Sequence, residues 1–185
     1  VRDIAPSMRA LYLLIVSDPH SSGPVNVTPA RYDLASGQVI NGPSISGSVG
    51  SQALTVAGGW VWAAVGIGSE AVVEQYDPAT MKVHATRHLV VEKRALRVKG
   101  KDYQPIPVLT ASTGGPLWVA AAQQLWALKP STGAIEKEVI DGPVGPLRWI
   151  DSMSTDPQGK LLYVARRTSF DGGLTVTEYN DRSGH

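Results

Sequence analysis

The stretch GGWVWAAVGIGSEAVVEQYDPATMKV, residues 58–83, decides how the rest of the chain is read. A Gly58-Gly59 turn opens onto an apolar run that holds Trp60 and Trp62, and a small-residue turn leads into a second run ending at Tyr76. Asp77-Pro78-Ala79-Thr80 then closes the unit as a tight turn. Two short apolar runs bounded by turn signals predict a β-hairpin. The chain states this unit four times. RALYLLIV, WVWAAVG, PLWVAAA and KLLYVAR place Tyr12, Trp62, Trp118 and Tyr163 at one equivalent position, with gaps of 50, 56 and 45 residues. RYDLASGQV, QYDPATMKV, ALKPSTGAI and EYNDRSGH place Tyr32, Tyr76, Leu128 and Tyr179 at another, with gaps of 44, 52 and 51. Short strands repeating at that period are the mark of sheets arranged radially about an axis.

The reading is therefore all-β: a β-propeller of four-stranded antiparallel blades, with repeats at about 1–48, 49–103, 104–147 and 148–185 in a single domain. In the first repeat the strands are expected within 1–9, 10–17 and 26–32, with a short fourth beginning at 38–40. The serine-rich run GPSISGSVGS, residues 42–51, reads as a loop between blades, without the glycine-serine-glycine elbow of a nucleophilic serine. In the third repeat Gln123-Gln124 reads as a two-residue hairpin connection. The fourth repeat reaches His185 where its fourth strand is due, so the last blade is expected to be incomplete. An unpaired edge invites pairing with another strand, which points to a stretch of a larger ring or to self-association through that blade.

Blades stack face to face, so their middle strands are covered on both sides and read as near-continuous apolar runs, as WVWAAV and LWVAAA do. Alanines beside an aromatic let neighbouring sheets approach while the ring fills the wider gap farther from the axis. Burying one tryptophan contributes roughly 4 to 6 kcal/mol as an upper bound.

Composition excludes more than it selects. Seventeen basic against sixteen acidic residues give a net charge of +1, so the overall field calls for no nucleic-acid partner. The absence of cysteine removes disulfides and thiolate metal sites without deciding the compartment. The apolar run ALYLLIV, residues 10–16, is too short to span a membrane, and no small-residue cleavage site follows it.

Individual motifs point mainly to structure. GIGSEA, residues 66–71, matches a dinucleotide fingerprint, but the run that follows is interrupted by Pro78 and cannot form the helix that a pyrophosphate site requires, which leaves a hairpin. His84 and His88 are four residues apart, about 13 Å along a strand, too far to share one ion. No metal or cofactor is expected. Asn26-Val27-Thr28 is a glycosylation sequon at a strand start. The run RHLVVEKRALRVKGK, residues 87–101, holds six basic residues and one acid, and Leu96 and Val98 alternate with Arg97 and Lys99. That pattern predicts a projecting strand with one basic face, either solvated or carrying an anionic contact through Arg94, Arg97, Lys99 and Lys101.

GGWVWAAV followed by QYDPATMKV, together with PLWVAAA and LKPSTGAIEK, resembles bacterial extracytoplasmic propellers of the quinoprotein-like, YVTN-type and streptogramin-lyase-like repeat group. The resemblance covers nearly the whole chain and implies an extracytoplasmic or secreted protein. Its members act as enzymes, scaffolds and sensors. The chain lacks the tryptophan-docking turns and vicinal cysteines that a quinone site implies. SFDGGLTV, residues 169–176, resembles a sialidase Asp-box with Val176 in place of the aromatic, and such boxes are structural turns.

Topology suggests where a site belongs. In a four-stranded meander the connections between strands two and three and between blades leave on one face, and the remaining turns leave on the other. The second set is short and uniform here. The first set is unequal, with landmark separations of 20, 14, 10 and 16 residues, and the basic insertion joins it. Unequal loops on equivalent blades are where scaffolds carry function. The expected ligand-binding residues are Asp18, His20, Arg87, His88, Arg148, Arg167 and Asp171, on a non-enzymatic module that takes a protein or a small polar or anionic ligand. The alternative is a propeller lyase or hydrolase that uses His20 with Asp18.

Overall fold

The structure, a computed structural model, describes residues 3–6, 9–17, 24–48, 50, 52–98, 101–140, 149–156, 158–167 and 173–180. It holds four larger antiparallel sheets and one small hairpin. The first sheet contains β1 (Asp3–Pro6), β2 (Ala10–Val16), β3 (Pro24–Asp33), β4 (Val39–Asn41) and β5 (Ile45–Ser48). The second is the meander β6 (Gln52–Ala57), β7 (Trp60–Ile67), β8 (Glu70–Tyr76) and β9 (Val83–Val90). A 3₁₀ turn (Lys93–Leu96) and the short hairpin of β10 (Arg97–Val98) and β11 (Lys101–Asp102) lead on from it. The third sheet is β12 (Pro107–Ala111), β13 (Leu117–Ala121), β14 (Gln124–Leu128) and β15 (Ile135–Ile140). The fourth has β16 (Ile150–Thr155), β17 (Leu161–Arg167) and β18 (Leu174–Asn180). The first strands of successive sheets, β1, β6, β12 and β16, pack one against the next, as radial blades require.

The repeat alignment holds at the level of single residues. Leu11 faces Tyr32, Val61 faces Tyr76, Leu117 faces Leu128 and Leu162 faces Tyr179, so in all four sheets the residue before the first landmark is paired with the second. The middle strands are covered on both faces: every residue of β13 and β14 is buried, and so is every residue of β7 between Val61 and Gly66. Three apolar clusters lie between the sheets, and Trp62, Trp126 and Trp118 are among their members.

The turns after the third strands of the first two sheets share one construction. Asp33 Oδ1 accepts from the backbone N–H groups of Ala35 and Ser36 and from the Ser36 hydroxyl. Asp77 Oδ1 does the same with Ala79 and Thr80. These hydrogen bonds hold the Asp33 carboxyl at a pKa of about 2 and draw that of Asp77 below the usual range, the backbone N–H of Ser36 or Thr80 being the largest cause. The corresponding turn in each of the first three sheets needs a residue with positive φ. Gly37 and Gly133 supply it in two repeats, and Met81, at φ 54°, supplies it in the other. The Met81 side chain is buried in the cluster between the first two blades, and that burial offsets the strain.

Three expectations are corrected. Residues 42–51 are not simply a loop, because Ile45–Ser48 forms β5 and pairs with β3 at residues Pro24 to Val27. Ile45 is buried, and a Cβ on Gly47 would stand 1.9 Å from Val65 Cγ1 on the next blade. The composition that reads as a loop is thus a strand pressed against its neighbour. The tight connection of the third blade is Ala122-Gln123, with Ala122 at φ 54° and Gln124 already in β14. Finally, residues 87–101 do not form one projecting strand. Arg87 and His88 belong to β9, the outer strand of its blade, and Ala95 and Leu96 are buried in the core cluster shared by the second and third blades. Packing of Leu96 overrides the alternation that suggests a free strand.

No helix among the described residues is long and apolar enough to cross a membrane.

Candidate functional site

Strand direction sorts the connections onto two faces. The upper face carries the β7–β8 turn at Gly68-Ser69, the β13–β14 turn at Ala122-Gln123 and the segments that join blades. Two hydrogen bonds tie these together: Val91 N–H to Ser69 O at 2.9 Å, and Ile150 N–H to Ala122 O at 2.8 Å. The lower face carries the Gly-rich first turns and the Asp33, Asp77 and Lys129 turns.

On the upper face the insertion between the second and third blades is folded down. Glu92 N–H donates to Gln124 Oε1 at 2.7 Å, and Gln124 Nε2 donates onward to Glu138 Oε1 at 3.2 Å. Trp149 Nε1 donates to Ala95 O at 3.0 Å, and Tyr103 N–H donates to Leu96 O at 2.9 Å. The Tyr103 ring meets Trp149 edge to face at 5.5 Å. Beside them is a recess of 50 Å³ lined by Gln104, Pro105, Ile106, Ala122, Trp149, Ile150 and Asp151. Lys93, Arg97, Lys101, Tyr103, Gln104 and Ile106 are exposed along this platform.

The residues expected to bind are distributed unevenly. Asp18, His20, Lys99, Arg148 and Asp171 lie outside the described residues, as do the side chains of Arg94 and Arg167. His88 stands near the upper end of β9, where its Nδ1 lies 2.8 Å from Glu70 Oε2, with both side chains exposed. An exposed pair of this kind contributes a polar contact and little stability. Arg97 Nε is 3.9 Å from Asp102 Oδ1, again in solvent. Arg87 points elsewhere. Its Nε donates to Gly133 O at 2.8 Å, Nη2 to Thr132 O at 3.0 Å and Nη1 to Thr86 O at 2.8 Å. It holds the lower turn of the third blade, beside the Gln75 Nε2 to Pro130 O bond at 3.0 Å.

Sequence reading passed over Glu70, Ile106 and Trp149, which gain their positions only from the folded insertion. It also gave no signal for a cleft of 890 Å³ on the lower face, lined by Gly58, Gly114, Gly115, Lys129, Glu136, Asp156 and Lys160 among others. Asp156 is engaged within its own turn: Oδ1 accepts Leu161 N–H at 2.8 Å, and this bond is the main reason its pKa is lowered. In the second blade, His84 stacks on Trp60, ring centres 4.4 Å apart.

Among the described residues no three His, Cys, Asp or Glu side chains converge as a metal site. What the upper platform offers chemically is a set of exposed cations, an aromatic edge and half-exposed apolar groups.

No protein-family model and no curated protein sequence matches the chain. Solved structures do. BamB from Moraxella catarrhalis superposes with a TM-score of 0.59 at 14% identity, over 99% of this chain and 62% of its own. A luciferin-regenerating enzyme gives 0.59 at 16%, over 98% and 61%. A europium-containing methanol dehydrogenase gives 0.59 at 13%, over 96% and 39%. The fold is that of a β-propeller. BamB and the dehydrogenase are propellers of the quinoprotein-like type, in keeping with the resemblance of the repeats. This chain spans about three fifths or less of the length of these three proteins. They include enzymes, so the fold by itself assigns no chemistry.

Proposed function

We propose that this chain is a non-enzymatic propeller module, working outside the cytoplasm, that binds a protein through its upper face. The observation that supports this is the packing of residues 91–98 and 101–106 as a platform, with Ala95 and Leu96 buried beneath it and Arg97, Lys101, Tyr103 and Ile106 exposed above. A loop held in one conformation loses little entropy on binding. In this reading His88 and the basic hairpin share the face with Asp18, His20, Arg148, Arg167 and Asp171, while Arg87 serves the joint between blades. The extracytoplasmic setting rests on the repeat resemblance.

The test is to select peptides from a random displayed library on the folded protein and map the bound peptides by hydrogen exchange. Protection at residues 88–106 is the expected result. Protection confined to Gly58, residues 113–116, 129–131 and 156–161 would move the site to the lower cleft and overturn the reading.

A further inference from the structure

We propose that the β10–β11 hairpin, with the adjoining Tyr103 and Ile106, is a docking surface for an acidic protein segment that carries an apolar side chain. The proposal rests on the reading of the chain as a protein-binding module and adds the chemistry of the partner.

Charge complementarity gives the first argument. Residues 87–101 hold six of the seventeen basic residues and one of the sixteen acids, leaving eleven basic residues and fifteen acids elsewhere. A chain that is acidic outside this segment concentrates its positive field here, where it can steer an anionic partner. Arg87 is engaged in the blade joint. Lys93, Arg97 and Lys101 are exposed, and the nearby Asp102 meets Arg97 only at 3.9 Å in solvent.

The second argument is the apolar part. Tyr103 and Ile106 are 39% and 44% exposed directly after the hairpin, next to the recess formed with Trp149 and Ile150. A purely anionic ligand such as a sulfated glycan makes no use of them, and two half-exposed side chains are too little to insert into a bilayer. Single-stranded nucleic acid requires successive stacking faces, and Tyr103 is the one aromatic between residues 87 and 106. A short acidic segment with an apolar residue uses both features at once.

The experiment is fluorescence anisotropy with a fluorescein-labelled peptide of alternating Glu and Leu. A Lys–Leu peptide, a Glu–Ser peptide, a heparin oligosaccharide and phosphatidylglycerol vesicles complete the panel. The Glu–Leu peptide should bind best, and its affinity should fall as salt rises. Arg97→Glu with Lys101→Glu should weaken it at least tenfold, and Tyr103→Ser with Ile106→Ser at least threefold. Lys82→Glu with Lys160→Glu, also exposed, should leave it unchanged, with circular dichroism showing all variants folded at the assay temperature. Equal loss in that control pair, no loss on charge reversal at the hairpin, or binding of heparin or vesicles without the peptide would overturn the proposal. If library-selected peptides still protect residues 88–106 but are not acidic, the acidic partner falls and the protein-binding reading stands; protection of the lower cleft alone removes both.

Discussion

Arg87 Nε of the second blade donates to the Gly133 carbonyl of the third at 2.8 Å. With the bond from Nη2 to Thr132 O, one guanidinium therefore fastens a neighbouring blade's turn by its backbone. Trp62 packs at the same joint, its Cη2 only 3.1 Å from where a Cβ on Gly133 would stand. Replacing Arg87 with Ala should cost about 1.5 to 3 kcal/mol, the range for hydrogen bonds to a charged group. Lysine cannot reproduce the planar fork and should recover less than half. Urea denaturation of both variants checks this.

Met81 combines positive φ with a buried side chain. Met81→Ala keeps the strain and empties the site, costing about 2 to 5 kcal/mol. Met81→Gly empties the site too but removes strain of about 1 kcal/mol. Glycine should therefore be the milder substitution. The order of the two denaturation midpoints is the test.

Gly47 has no room for a methyl group against Val65. Gly47→Ala should destabilise by about 1 to 3 kcal/mol through overpacking. Adding Val65→Ala should return part of that loss, so the double variant should be more stable than the two single effects summed. A strictly additive cycle would place the steric conflict elsewhere.

These residues also mark how far the sequence could be read. The register of Val61 on Tyr76 and of Leu162 on Tyr179 was legible, because each blade repeats the same landmark pair and the repeats agree. The strand at Ile45–Ser48 was not, because close approach to Val65 selects Gly47 and so gives the segment a loop's composition. Leu96 sits between cations in the sequence, and only the blade beneath it turns that alternation into a buried anchor. The lower cleft was not legible, because its lining comes from turns of three blades that only the fold brings together. The face with unequal loops could be deduced from topology. The members of the platform, Trp149 and Ile106 above all, depend on how the insertion folds.

The turn carboxylates set an acid limb. The carboxyls of Asp33, Asp77 and Asp156 have folded-state pKa values below the ordinary one, so each contributes stability that is complete above the unfolded value of about 3.9. That contribution is lost as pH falls through the folded value, about 2 for Asp33. Asp33→Asn and Asp77→Asn should each lower stability at pH 7 and flatten its fall below about pH 4. Denaturation midpoints measured across that range test the sign.

The central claim is that the basic insertion is a packed platform instead of a projecting arm, and native-state hydrogen exchange of the free protein tests it most directly. Val91, Ala95, Tyr103 and Ile150 donate their N–H groups to Ser69, Glu92, Leu96 and Ala122. Their exchange should be slowed at least a hundredfold relative to unstructured peptide, with Val91 and Ile150 close to the β9 amides. Exchange at the unstructured rate at Ala95 and Tyr103, beside a protected β9, would contradict the account and return residues 91–106 to a free extension.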